Sequence, residues 1–186
     1  AIEALALYKT EQKQKELFGK EAAPRLVRLA SGALKNNDFE TAKEMILMAV
    51  DADPQFDHAW DTKARIDFIH GDLIEARRSL ERSKLATQHQ GVRDLEKFLD
   101  ERQSSMQDQL TLDDFEKLAQ RNSSKYDVVS AIIANIDHFE LKDKISLVKL
   151  LLYIKNGGKE LKFTYEISDR GLEIDLSNNK GLRNIE

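Results

Sequence analysis

Apolar positions recur at helical spacing through most of the chain and at alternate positions only near its end. Residues 1–22 begin apolar and pass into "KTEQKQKE", which predicts a helix with a solvated polar face, and Pro24 is placed to restart the chain as the first residue of the next helix. "VRDLEKFLDERQSSM" reads as an amphipathic helix with Leu95, Phe98 and Leu99 on one face. Three more helices are predicted between 111 and 156. In "TLDDFEKLAQ", Thr111 is the N-cap and Asp114, three residues on, completes a capping-box variant. "KYDVVSAIIANIDHF" and "KDKISLVKLLLYIK" carry the broad apolar faces of a packed helical core. Asn156-Gly157-Gly158 supplies a helix stop. Beyond it the period falls to two: Phe163, Tyr165 and Ile167 alternate, as do Leu172, Ile174 and Leu176. Asp169-Arg170-Gly171 can turn between them, which predicts a hairpin.

The region between 23 and 90 repeats itself. A shift of 34 residues lays "ALKNNDFETAKEMILMA" over "DFIHGDLIEARRSLERS", bringing Asp38 onto Asp72, Ala42 onto Ala76 and Ile46 onto Leu80, with Leu26 on Trp60 and Ala30 on Ala64. Antiparallel helices approach closely only where small side chains meet, so Ala30 is expected against Ala42 and Ala64 against Ala76. Asn37-Asp38 and Gly71-Asp72 fall in the short turns, where Gly permits positive φ and Asp caps the next helix. "HGDL" also matches the opening of a protein-kinase catalytic loop, but that loop needs a metal-binding Asn five residues after its Asp, and Arg77 stands there. The stretch therefore reads as a turn and cap.

This period with small residues at the crossings resembles the tetratricopeptide repeat family. Residues 23–56 look like one repeat, with Leu26, Leu29, Ala30, Ala42, Ile46, Ala49 and Pro54 in its slots. Residues 57–90 look like a second, with Trp60, Ala64, Ala76 and Leu80, although Lys63, Asp67 and Gln88 replace the usual Leu, aromatic and Pro. The helix at 92–106 would cover the flank of the second repeat. Ile174, Leu176 and Asn179 similarly resemble the start of a leucine-rich repeat over about 172–185, with Leu182 one residue late.

The resemblance implies a mainly α chain. Its divisions are an N-terminal helix (1–22), helical repeats with a covering helix (23–110), a three-helix continuation (111–158) and a small β-hairpin or leucine-rich element (159–186). In such repeats the first helix of each unit lines a concave groove for a peptide or a partner helix, which here would expose Val27, Ser31, Lys35, His58, Asp61, Arg65 and Phe68. The Lys and Asn that clamp a terminal carboxylate in chaperone-tail binders have no counterpart, since Val27, Ser31 and Asp61 stand instead. Asp61 and Arg65 are spaced for an intrahelical ion pair.

Composition agrees with an ordered helical protein: 186 residues, 33% charged and 41% hydrophobic. The net charge of −4 is spread through interleaved acids and bases, so no nucleic-acid footprint appears, and Arg77-Arg78 reads as a solvated helix face. The chain has no cysteine, which excludes disulfides and a thiolate nucleophile while leaving compartment open, with the cytoplasm slightly favoured. No run is long enough for a membrane helix, so no membrane insertion is expected. His58, His70, His89 and His138 lack metal-ligand spacing, and Asp137, His138 and Glu140 read as a solvated helix end. No nucleophile elbow, phosphate loop or dinucleotide fingerprint is present.

These observations lead to a non-catalytic protein-interaction or scaffold segment, without cofactor or metal, whose partner is a protein or peptide. The chain starts at Ala1 and stops inside a pattern at "GLRNIE", and so reads as part of something longer. A rival expectation rests on the helical repeats followed by "FTYEISDRGLEIDLSNN", which resemble regulatory segments beyond the catalytic domain of multidomain bacterial Ser/Thr kinases.

Overall fold

The computed structural model describes residues 2–83, 90–102, 109–121, 125–159, 161, 164–168 and 171–175. The protein is mainly helical, with a helical-repeat-like architecture. Its helices are α1 (Ile2–Lys35), α2 (Phe39–Ala52), α3 (Asp57–Ile69), α4 (Leu73–Arg82), α5 (Gln90–Glu101), α6 (Leu112–Gln120), α7 (Lys125–Asn135) and α8 (Leu141–Lys155), with a 3-10 turn at Ile136–His138. Two short segments, β1 (Thr164–Ser168) and β2 (Gly171–Asp175), pair antiparallel with Thr164 opposite Asp175. Of the leucine-rich pattern, Ile174 lies in β2, while Leu176, Asn179 and Leu182 lie outside the described residues, as do Gln88 and His89.

The offset of 34 has a direct geometric counterpart. Asn37 (φ 56°) and Gly71 (φ 78°) occupy the left-handed region, each just before a capping aspartate. The Asp38 and Asp72 carboxylates accept from the amides of Thr41 and Glu75 at 3.2 and 3.1 Å. The two turns also close alike: the amides of Asp38 and Asp72 donate to the carbonyls of Ala33 and Asp67, which are themselves 34 apart. Ala30, Ala42, Ala64 and Ala76 are all fully buried, α1 packs on α2, and α3 packs on α4. Pro54 lies between α2 and α3, where its carbonyl accepts from the Trp60 indole at 2.9 Å.

The expected restart at Pro24 does not occur. α1 runs through it as one helix of 34 residues. A proline interior to a helix costs about 3 kcal/mol because it removes a hydrogen bond and crowds the carbonyl four residues back. Here the buried stripe Gly19, Ala23, Ala30 and Leu34 keeps its phase across Pro24, so packing on α2 holds both halves in one helix. Gly19 marks the closest approach: a Cβ there would lie 1.9 Å from the Ala52 carbonyl oxygen at the end of α2. Leu29, one residue off the stripe and so turned by about 100° from Ala30, stays 59% exposed instead of filling the crossing.

α3 is the hub. It packs against α1, α2, α4, α5 and α7, and it is buried almost all round, yet Asp61, Thr62, Lys63 and Asp67 are among its buried residues. A buried charge is tolerated only when paired and hydrogen-bonded. Lys63 Nζ meets Asp67 Oδ2 at 2.7 Å one turn along, and Ser79 Oγ on α4 donates to the same oxygen at 2.9 Å. The Lys63 ammonium also contacts Ser79 Oγ at 3.2 Å and lies 3.8 Å from Glu75. The departures from the repeat pattern at Lys63 and Asp67 are therefore a polar joint within the α3–α4 pair.

The covering helix α5 seats Val92, Leu95, Phe98 and Leu99 in the core, with the Phe98 ring edge-on to Phe68. Arg77 is not merely a solvated residue: it bonds Asp100 at 3.0 Å and the carbonyl of Leu99 at the α5 C-terminus, while Arg78 stays exposed and pairs with Glu75. Thr111 and Asp114 form a full capping box at α6. α8 ends at Lys155, followed by Gly157 and Gly158 with positive φ.

Burial raises the Asp67 pKa above the usual aspartate range, and its bonds from Lys63 and Ser79 work against that shift. A carboxyl raised in this way contributes stability below its unfolded pKa, and that contribution is lost as pH rises through the folded value. The joint is therefore expected to add more to the specificity of α3–α4 packing than to stability. Asp67→Leu alone, which strands Lys63, should cost about 3–5 kcal/mol, whereas Lys63→Met with Asp67→Leu should regain most or all of it. Urea denaturation midpoints decide this; a double variant as unstable as the single one contradicts the pairing.

Candidate interaction surface

The row expected to line a concave groove is only partly open. Lys35 and His58 are exposed, and Val27 and Ser31 are half-buried on α1. On α3 the expectation of exposure fails for Asp61 and Phe68, which are 5% and 2% exposed. The reason is that the chain's later helices lie on that face. α7 places Asp127 against Arg65 in a two-pronged pair, Nε to Oδ2 at 2.8 Å and Nη2 to Oδ1 at 2.7 Å. Tyr126 beside it donates its hydroxyl to the Leu34 carbonyl in the last turn of α1. Asp61 does not form the expected ion pair with Arg65; it accepts from Ser83 Oγ at 2.7 Å. Hydrogen bonding to Asp127 raises the pKa of Arg65 above its ordinary value despite burial, so the pair stays charged on the arginine side at any working pH.

A second concavity lies at the other end of α3. The α3–α4 turn, the start of α6 and the start of α8 surround a solvent-open cleft of about 1000 Å³. Its apolar lining comes from Leu73, Leu110, Leu112 and Phe139, and Ile74 stands at the rim 47% exposed. Asp72, Glu140 and Asp143 line it as well, and among the described residues no lysine or arginine does. These acids sit at helix beginnings, where they complement the partial positive charge of the free amides. Asp72 already serves as a cap.

The cleft wall is set by one side chain. Asn135 is buried, and its Nδ2 donates to the Ile69 and Ala131 carbonyls, both at 2.7 Å. With carbonyls on both lines, the amide nitrogen is the atom that must face them. Gly71 leaves room for this side chain: a Cβ there would stand 2.9 Å from Asn135 Oδ1. His70 Nε2 lies 3.3 Å from the Phe39 carbonyl, which ties the same turn to the beginning of α2. The caps at Asp72 and Thr111 are readable as local patterns. Their convergence with Asn135 and Phe139, which are more than sixty residues from the α3–α4 turn, has no local signal.

Among the described residues no cluster of three or more His, Asp or Glu is arranged to hold a metal ion, and no helix is long and apolar enough to cross a membrane.

The role of Asn135 can be checked with two near-isosteric or truncating changes. Asn135→Ala should cost about 1–3 kcal/mol through the Ile69 carbonyl left unpaired. Asn135→Asp should cost more, because it aims an anion at the Ile69 and Ala131 carbonyls. Thermal melts at neutral pH provide the comparison, and an aspartate variant more stable than the alanine one contradicts the assignment. No family model matches the chain, and neither the curated proteins nor the solved structures yield a match.

Proposed function

We propose that this chain is a non-catalytic protein-interaction or scaffold segment built on tetratricopeptide-like helix pairs, and that it receives a partner peptide in the cleft at the α3–α4 turn. The observation that carries the reading is the contrast between the two concavities. The row on α1 and α3 is filled at Arg65 and Phe68 by the chain's own α7 and α5, and at Asp61 by Ser83 at the end of α4. The cleft keeps an open mouth and apolar walls. Its volume lies at the upper end of the range for ligand pockets, roughly 300–1,000 Å³. An open cleft of that size suits a few residues of extended chain, with apolar side chains directed at Leu112 and Phe139 and polar backbone left toward the rim.

The resemblance to tetratricopeptide repeats supports binding as the role of such helix pairs, and the matching turns at Asn37-Asp38 and Gly71-Asp72 support the resemblance. The site of binding departs from the family expectation because the concave row is covered in cis.

Selection from a displayed random-peptide library, followed by backbone amide shift mapping of the winners, tests this. Shifts are expected at Ile74, Leu112 and Phe139. Ile74→Glu, at an exposed position in the first turn of α4 where an acid is welcome, should weaken binding by about tenfold or more without lowering the melting temperature. Peptides that instead perturb Val27, Ser31, Lys35 and His58 would return the site to the concave row, and a library with no binders would sink the proposal.

A further inference from the structure

We propose that the α1–α2 hairpin is a self-association surface, joining two copies of this chain about a two-fold axis with α1 of each against α2 of the other. The inference is independent of the cleft. Along the exposed side of α1 stand Arg25, Arg28 and Lys35, and along the exposed side of α2 stand Glu40, Glu44 and Asp51. None of these six charges takes part in a hydrogen bond or ion pair among the described residues. The two helices thus carry opposite excess charge, α1 positive despite Glu21 and α2 negative despite Lys43. Between the charges lie Leu29 (59% exposed) on α1 and Leu47 and Met48 (43% and 52%) on α2. Single exposed apolar residues are ordinary. Three of them flanked by charges of opposite sign on the two helices form a self-complementary patch, which is what an isologous interface requires.

The geometry of the hairpin makes the match specific. α1 and α2 run antiparallel, joined by the turn at 36–38, with Gly19 returning to the end of α2 at Ala52. A two-fold axis running along the helices keeps their direction in the second copy, so that α1 of one lies antiparallel to α2 of the other. Setting Leu29 level with Met48 then brings Arg25 to within one residue of the level of Asp51. Lys35 falls within one helical turn of the level of Glu40. The apolar residues are central and the charges flank them, an arrangement in which the charges fix register and the apolar contacts supply most of the affinity. A different protein on this surface would need the same alternation of basic and acidic rows; a second copy supplies it by construction.

Analytical ultracentrifugation of the full chain across a dilution series tests the proposal. A monomer–dimer equilibrium is expected, weakened by added salt. Arg25→Glu and Asp51→Arg should each weaken it about tenfold by placing like charges together. The combined variant should recover affinity close to that of the unaltered chain, with circular dichroism showing the helices unchanged throughout. Leu29→Lys should abolish the dimer whatever the charges do. A chain that stays monomeric at every concentration overturns the proposal, as does a dimer that responds to neither charge reversal nor Leu29→Lys.

Discussion

A helix that sits at the centre of a fold is ordinarily apolar all round. α3 is not, and the arrangement of its neighbours follows from the partners its polar side chains require. Lys63 and Asp67 are answered by Ser79 of α4, Asp61 by Ser83 just beyond it, and Arg65 by Asp127 of α7. Each partner fixes a neighbouring helix in rotation as well as in distance, because a hydrogen-bonded charge tolerates little slippage, whereas an apolar contact can slide by a residue. The pair between Arg65 and Asp127 has the widest reach, since it joins the first helix pairs to the later helices across 62 positions of sequence.

That closure redistributes the surface available for binding. With α7 on the face of α3, and Tyr126 reaching the last turn of α1, the α3 part of the concave row is largely covered, while Lys35 and His58 stay exposed. The same folding-back brings the starts of α6 and α8 to the α3–α4 turn, with Asn135 holding the Ile69 carbonyl at the C-terminus of α3 and Gly71 leaving space for it. One long-range constraint therefore closes one concavity and builds another. The α1–α2 hairpin, on the far side from this closure, keeps its outer residues exposed.

The features legible in the sequence were those set within a few residues. The caps at Asp38, Asp72 and Thr111, the turn residues Asn37 and Gly71, and the small residues Ala30, Ala42, Ala64 and Ala76 each state a local requirement that any tertiary structure would have to honour. Pro24 misled because its local penalty was outweighed by a packing stripe that continues past it. Asp61 and Arg65 misled for a related reason: helical spacing places them as a possible pair, but Ser83 and Asp127 offer better-oriented partners from other helices. Lys63 and Asp67, taken from the sequence as departures from a repeat pattern, make sense only with Ser79 beside them. The cleft was hidden because it is assembled from the starts of α4, α6 and α8, which are far apart in sequence and none of which is unusual alone.

The claim on which most depends is that Arg65 and Asp127 hold α7 against α3. A double-mutant cycle with Arg65→Ala, Asp127→Ala and both together, read by urea denaturation, measures that coupling directly. Because the Arg65 side chain is 34% exposed, the coupling should fall below that of a fully buried pair, at about 1–3 kcal/mol. Each single variant should also be less stable than the unaltered chain, with the double variant little worse than either. Strictly additive losses, with no coupling between the two sites, would contradict the account: the pair would then do nothing to hold α7 on α3.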